Sequence, residues 1–161
     1  MDELIDLCRR THPRLVGMLG LYCGDSDVAE DLAQETLIRL CRDWRKVRRL
    51  DAPERWIHRV AINLAHSHYR RKGVEQRALR TFGRRLAGEQ APDQDVEALE
   101  LLKDLPHKQR AALILHYYID LTMREVAEVM DIPEGSVKTL IHRATRALRA
   151  RDLRSEARDA H

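Results

Sequence analysis

The sequence predicts an all-α protein: two small helical domains joined by a flexible linker, the C-terminal domain being a helix-turn-helix. Aromatic residues make up only 4% of the 161 residues, so a core has to come from Leu, Val, Ile and Ala. Alternating β-branched and aromatic segments, which indicate strands, are scarce. Apolar residues instead recur every three or four positions, the period of a helix that packs against a core.

This apolar period predicts seven helices. They lie near residues 2–22, 27–45, 53–72, 95–104, 107–118, 122–130 and 134–151. The polar stretch from Gly73 to Pro92 lacks a sustained apolar period and contains several glycines, which predicts a linker. We therefore expect an N-terminal domain over 1–72, a linker over 73–94, a C-terminal domain over 95–154 and a tail over 155–161.

The second predicted helix combines an apolar stripe with an acidic face. The stripe consists of Val28, Ala29, Leu32, Ala33, Leu37, Leu40, Cys41 and Trp44. The other side carries Asp27, Glu30, Asp31, Gln34 and Glu35, joined by Ile38 and Arg39. An acidic face is usually only solvated, but the apolar side chain of Ile38 beside it favours a docking surface.

A basic run and a loop precede the third helix. The run consists of Arg42, Arg45, Lys46, Arg48 and Arg49, and the loop extends from Leu50 to Pro53. The core face of the third helix is expected to contain Trp56, Ile57, Val60, Ala61 and Leu64, with Trp44 and Trp56 as core anchors. Asn63 should project away from that face or find a hydrogen-bond partner. The basic end of this helix, which includes Arg70, favours contact with phosphate.

The last two helices carry the most informative pattern. Thr122 and Glu125 have the spacing of a capping box, which begins a helix, and Pro133 is expected to stop that helix. The core face of the final helix is formed by Val137, Ile141, Ala144 and Leu148. Its opposite face carries residue types that bind phosphates and read bases, namely Lys138, Thr139, His142, Arg143 and Arg146. This layout predicts a helix-turn-helix whose second helix enters the major groove.

Charge and cysteine placement favour a reduced, cytoplasmic protein with a polyanionic partner. The net charge of +3 is small, but basic residues cluster at 39–49, 70–85 and 138–154. Cys8, Cys23 and Cys41 are widely spaced and form no Cys-x-x-Cys motif. Neither an export signal nor an apolar run of membrane-spanning length occurs in the sequence, so we expect no membrane insertion.

Motifs for catalysis and metal binding are lacking in the sequence. It contains no Gly-rich phosphate loop, no nucleophile elbow and no metal-ligand spacing. His66 and His68 lie two positions apart, so on a helix they point in different directions. The remaining histidines considered, His12, His58, His107 and His116, are interpreted as scattered polar positions. We therefore expect no enzymatic activity, no cofactor and no metal.

Three segments together resemble the extracytoplasmic-function (ECF) group of bacterial RNA polymerase sigma factors, within the sigma-70 family. They are Asp27–Leu40, Trp56–Ala65 and Leu105–Arg149, the last of which includes the helix-turn-helix. A helix-turn-helix alone is weakly specific, whereas all three segments in this order are strongly specific. The resemblance implies an alternative sigma factor that directs promoter-specific initiation by binding core polymerase and the −10 and −35 elements.

The resemblance also assigns residues to three surfaces, carried over by position. Docking on the clamp helices of bacterial core RNA polymerase is assigned to Asp31, Gln34, Glu35 and Ile38. Contact with −10 DNA is assigned to Val47, Arg48, Arg49, Asp51, Asn63 and Arg70. Reading of the −35 element is assigned to Lys138, Thr139, His142, Arg143 and Arg146, in the domain that also binds the polymerase flap. An anti-sigma factor is a further implied partner.

The main alternative is a stand-alone helix-turn-helix transcriptional regulator that binds operator DNA as a dimer. It explains residues 105–150 equally well, but it leaves the acidic face of the second helix and the helix around Trp56 without a role. A ligand-sensing module would need a pocket lined by aromatic residues, which are too few here. A Cys/His hydrolase built from Cys41 and His58 has nothing to orient it.

Overall fold

The computed structural model describes residues 1–79 and 96–160, and these residues form helices joined by short turns. The chain divides into two compact units, Met1–Asp93 and Gln94–His161. None of the helices within the described ranges is long and apolar enough to cross a membrane.

The first unit contains three helices. They are α1 (Asp2–Cys23), α2 (Ser26–Val47) and α3 (Pro53–Leu79). Helix α1 ends where Gly24 adopts the left-handed conformation, with φ of 66°, and donates its N–H to the carbonyl oxygen of Gly20. The next residue caps α2, because the Asp25 carboxylate accepts the N–H groups of Asp27 and Val28 at 2.9 and 3.1 Å. This two-residue connection folds α1 and α2 into a hairpin.

The core of the first unit is formed by one stripe from each helix. Its members include Leu15, Met18, Leu19, Tyr22, Ala29, Ala33, Leu40, Val47, Ile57, Ala61 and Ala65. Trp44 and Trp56, which the sequence predicts as core anchors, are only half-buried and lie at its edge. The Tyr69 hydroxyl donates to the carbonyl oxygen of Cys23, and its ring meets that of Tyr22 edge-on at 5.6 Å. Tyr69 thereby fastens α3 to the α1–α2 connection.

Helix α3 is longer than predicted. The sequence places its end near residue 72, whereas the helix continues to Leu79, into the segment predicted as a linker. A single glycine within a helical run only lowers helix stability, so Gly73 does not stop it. The rest of the predicted linker, residues 80–94, lies outside the described residues.

The second unit contains α4 (Val96–Lys103), α5 (His107–Leu113), α6 (Met123–Met130) and α7 (Glu134–Asp159). Helix α5 is followed by a π-helical turn, Ile114–Tyr118, in which the N–H of Ile119 donates to the carbonyl oxygen of Ile114 at 3.1 Å. The sequence predicts one continuous helix over 107–118, because a π turn has the same apolar composition as an α-helix.

A buried arginine holds the α4–α5 corner together. Arg110 is 5% exposed, and its guanidinium donates to the carbonyl oxygens of Lys103 and Leu105 at 2.7 and 3.0 Å. Lys103 is the last residue of α4 and Leu105 lies just beyond it, so α4 provides no N–H group for either carbonyl oxygen. The charged side chain therefore completes the helix end from inside the unit.

Helix α7 also extends beyond expectation, through the predicted tail to Asp159. Arg151 lies near the start of this extension. Its guanidinium is 2.8 Å from the carboxylate of Asp104 and donates to the carbonyl oxygen of Glu100 at 3.3 Å. These contacts join the extended part of α7 to α4.

Candidate nucleic-acid interface

The helix-turn-helix begins with the predicted capping box. The Thr122 hydroxyl accepts the N–H of Glu125 at 3.2 Å, and the Glu125 carboxylate accepts the N–H of Thr122 at 2.8 Å. Each side chain thus satisfies a backbone donor that the helix itself leaves unpaired. The prediction is confirmed, and it fixes where α6 starts.

The turn between α6 and α7 is made by Asp131 rather than by Pro133 alone. Asp131 adopts the left-handed conformation, with φ of 55°, and the N–H of Ile132 donates to the carbonyl oxygen of Ala127 at 3.1 Å. This is the hydrogen bond of a Schellman helix end. Pro133 follows in an extended conformation and immediately precedes α7. The sequence places the stop at residues 131–133 but attributes it to the proline and not to the conformation of Asp131.

One face of α7 anchors it and the opposite face is open. Val137, Ile141 and Ala144 are buried as predicted, and Leu148 is half-buried. All five residues predicted to read DNA are exposed, namely Lys138, Thr139, His142, Arg143 and Arg146. The packed face fixes the rotation of the helix, so these five side chains are presented together on one side.

Two members of this exposed face are held by residues of the preceding turn. The Thr139 hydroxyl donates to the carbonyl oxygen of Gly135 at 3.1 Å. The Lys138 ammonium lies 4.0 Å from the carboxylate of Glu134. Such an exposed ion pair is weak, so a phosphate can compete with it for the lysine.

The acidic face of α2 is exposed and has an exposed apolar side chain, Ile38, at one end. Asp31 and Gln34 are exposed, and Ile38 has an exposed fraction of 62%, unusual for an isoleucine. Glu35 is half-buried and accepts from the guanidinium of Arg39 at 2.9 Å. The spacing of these residues along α2 places them on adjoining turns. They form one continuous strip on the first unit.

The residues predicted to contact −10 DNA are divided between surface and core. Arg48, Arg49, Asp51, Asn63 and Arg70 are exposed. Asn63 projects away from the core face, one of the two outcomes expected for it. Val47 has an exposed fraction of 0%, so its side chain packs in the core and cannot touch DNA in this structure.

Two ion pairs link α1 to the residues that flank the predicted −10 loop. The guanidinium of Arg48 lies 3.9 Å from the carboxylate of Glu3, and that of Arg10 lies 3.8 Å from the carboxylate of Glu54. Both pairs are exposed and individually weak. Together they connect the first half of α1 to the residues on either side of the loop.

His58 is a buried residue that the sequence interpretation missed. It is 7% exposed, and burial lowers its pKa to about 4, with the positive charge of Arg14 adding to the effect. Its position between the buried residues Ile57 and Ala61 is the signal that could have identified it. His58 is therefore a neutral core residue and not a scattered surface histidine.

Comparison with known families accounts for both units. Residues 7–75 match Sigma-70 region 2, and residues 95–148 match Sigma-70, region 4. The chain is 31% identical to the ECF RNA polymerase sigma factor SigW of Bacillus subtilis, over 94% of this chain and 85% of the relative. This chain belongs to the ECF sigma factors. The sigma-H factor of Pseudomonas aeruginosa is 27% identical, over 84% of this sigma factor and 78% of the relative.

Solved structures share the fold of this sigma factor. The sigma factor RpoE, solved with the anti-sigma factor NepR from Bartonella quintana, superposes with a TM-score of 0.78 at 21% identity, over 93% of this chain and 96% of the other. CnrH, solved with the cytosolic domain of CnrY, gives a TM-score of 0.67 at 17% identity, over 91% of this chain and 85% of the other.

The family settles the general function. This chain is an alternative sigma factor that acts in transcription initiation, and sigma factors bind core RNA polymerase and promoter DNA. A stand-alone operator-binding regulator would leave the match of residues 7–75 to region 2 unexplained.

Proposed function

We propose that the two units divide promoter recognition between them. Residues 1–72 dock on core polymerase and open the −10 element, residues 95–154 read the −35 element, and residues 73–94 join the two. The observation that carries this proposal is the exposed reading face of α7, which a capped α6 and a buried apolar stripe hold in place. The tail, residues 155–161, has no assigned role.

The docking surface on core polymerase is the strip of Asp31, Gln34, Glu35 and Ile38 on α2. An exposed apolar side chain next to polar ones suits a protein interface, because the apolar group gains from losing water while the polar groups set specificity. Ile38 supplies the apolar group, and Asp31 and Glu35 supply carboxylates on the preceding turns. As the resemblance to ECF sigma factors implies, this strip binds the clamp helices of core polymerase.

The −10 surface consists of Arg48, Arg49, Asp51, Asn63 and Arg70. Opening a promoter breaks base pairs and stacking, so a loop that receives an unstacked base lowers that cost with new hydrogen bonds and contacts. The exposed arginines hold the strand through its phosphates. Asp51 and Asn63 supply acceptors and an amide donor that can distinguish one base edge from another.

The −35 surface consists of Lys138, Thr139, His142, Arg143 and Arg146. A guanidinium can contact the O6 and N7 atoms of guanine together, so Arg143 is assigned to base reading. Lys138 is a flexible point charge and is assigned to phosphate. The unit that carries these residues also binds the polymerase flap.

The same proposal extends to regulation and location. Two proteins of known structure share this fold: the sigma factor RpoE, solved with the anti-sigma factor NepR, and CnrH, solved with the cytosolic domain of CnrY. We infer that an anti-sigma factor binds this chain too, and that the chain works in the cytoplasm, where bacterial polymerase is. It acts by binding and not as an enzyme.

A competition assay tests the proposal. Labelled sigma factor bound to core polymerase should be displaced by this chain, and promoter-specific transcripts should appear only when polymerase and chain are both present. A dimer that binds promoter duplex tightly without polymerase, and that displaces nothing, would refute the proposal in favour of an operator-binding regulator.

A further inference from the structure

The predicted −10 loop, from Leu50 to Pro53, presents one large apolar side chain to solvent. Leu50 is 40% exposed. Val47, which the family resemblance assigns to DNA, is fully buried. The apolar side chain that DNA can reach at this end of α2 is therefore Leu50, which none of the surfaces assigned above includes.

The backbone of the turn holds Leu50 in a fixed position. Its N–H donates to the carbonyl oxygen of Val47 at 3.0 Å, and the N–H of Arg49 donates to that of Lys46 at 3.2 Å. Val47 is anchored in the core, and at the other end of the loop Pro53 begins α3 with its φ already set by the ring. A residue held in this way loses little conformational entropy when a partner covers it.

The charges beside Leu50 select the kind of partner that covers it. The five residues before it include four exposed cations, namely Arg45, Lys46, Arg48 and Arg49. Cationic side chains favour a polyanion, and a nucleic-acid strand offers phosphates to them and flat base faces to the leucine. Such a face is free only where a base has left the stack, because the bases of an intact duplex cover one another.

We propose that Leu50 is an apolar wedge that helps to open the −10 element. Its side chain enters the base step from which one base unstacks and covers the base face left behind. Leucine is among the side chains that unstack base steps in this way, and the contact that it gains offsets part of the cost of unstacking. Arg48 and Arg49 hold the phosphates of the same strand. This inference rests on the function proposed for the first unit.

The wedge has a role different from that of the base-reading groups. A leucine side chain makes no hydrogen bonds, so it cannot distinguish one base edge from another. Reading of the base stays with the exposed polar side chains of Asp51 and Asn63. Leu50 should therefore change how readily any −10 sequence opens and leave the preferred sequence unchanged.

Promoters with a paired and with a pre-opened −10 element test this proposal. Leu50→Ala should lower the rate of open-complex formation on a fully paired promoter about 3- to 8-fold, the effect of leaving the exposed part of this leucine uncovered. On the same promoter with mismatched −10 base pairs, Leu50→Ala should match wild type, because no stack remains to be opened. Permanganate reactivity of unpaired thymines and the yield of transcripts are measured on both promoters.

Two further variants control for the substitution itself. Leu50→Met keeps an apolar side chain of similar volume, so it should open the paired promoter nearly as well as wild type. Ile5→Ala shortens an apolar side chain of similar exposure, 44%, on α1, and should leave opening unchanged. All three variants should compete for core polymerase as wild type does, since none of them alters the strip on α2.

Other outcomes overturn the proposal. These are full opening of the paired promoter by Leu50→Ala, an equal loss on the paired and mismatched promoters, a changed −10 sequence preference, or a loss of competition for core polymerase. Failure of the proposed promoter function gives a different result, because wild type itself would then start no transcripts from either promoter.

Discussion

Single residues on α7 differ in what they can recognise, although several carry the same charge. Arg143 has a planar fork of donors that matches guanine, and Lys138 has a mobile ammonium group that is attracted to any phosphate. Both are exposed on the same helix face. Their contributions should therefore separate when promoter sequence is varied.

Arg143→Ala should relax selection at one base pair of the −35 element. A good bidentate contact is worth about 1–3 kcal/mol of discrimination, so preference at that position should fall by about 5- to 150-fold. The measurement is transcription from promoters that differ only in their −35 base pairs. Lys138→Ala is the matched contrast, because it should weaken all these promoters alike. Unchanged base preference in Arg143→Ala would contradict the assignment.

His58 makes the stability of the first unit depend on pH. Its folded pKa of about 4 lies below the ordinary value of 6.5, so the unfolded chain binds the proton more tightly. The contribution of His58 to the free energy of unfolding is fully present above pH 6.5 and is lost as the pH falls toward 4. Between pH 7.5 and pH 5 the free energy of unfolding should fall by about 2 kcal/mol. Denaturant unfolding at both pH values should show this loss.

His58→Gln should remove that pH dependence, because the amide does not titrate. The exposed His142→Gln should leave it unchanged. If the free energy of unfolding changes equally with pH in wild type and His58→Gln, the buried histidine is not the source of the pH dependence.

Sequence patterns predict which helix face is exposed better than they predict whether a single residue is buried. Val47 was assigned to DNA by its place in a loop motif, yet it lies seven residues after Leu40 on the same buried stripe of α2. Helical period alone could have placed it in the core.

At the level of elements, the apolar period predicts all the helices of the described ranges, because each helix needs one stripe to pack. Helix starts are predicted to within one residue, both with a side-chain cap, as at Thr122, and without one, as at Glu134. The two large errors are C-terminal ends, where the sequence would have to carry a stop signal. The end of α3 at Leu79 and of α7 near Asp159 have no such signal in the sequence. The π turn after Leu113 is set by packing and carries no distinctive composition.

The capping box should make a measurable contribution to the second unit. Thr122→Ala removes the hydroxyl that accepts the Glu125 N–H, so the free energy of unfolding should fall by about 1 kcal/mol. Thr122→Ser keeps the acceptor and is the control. Denaturant unfolding followed by circular dichroism checks both, and equal stability of the alanine and serine variants would show that the cap is dispensable.

The strip on α2 can be tested as a single element. Asp31→Arg combined with Glu35→Arg should abolish competition for core polymerase, because it replaces two carboxylates of the docking surface with positive charge. Asp152→Arg combined with Glu156→Arg, at the same spacing on the exposed end of α7, is the matched control. Full competition by the first double variant, with its helical content intact, would contradict the docking assignment.

At the level of the whole molecule, each unit has its own core and its own match to a sigma-70 region, and we propose a recognition face for each. Small cores of this kind give limited stability, so binding partners add to it. We expect such a protein to hold two promoter elements at once only when polymerase fixes both units. The distance between the elements then becomes part of what is recognised.

The most direct measurement of this central claim is sequencing of transcripts that start in vitro from a promoter library with both elements and their separation randomised, using core polymerase and this chain. We predict two enriched sequence blocks at one narrow separation, absent when either protein is omitted. A single enriched block, or two blocks with no preferred separation, would contradict the claim that the two units act together on one promoter.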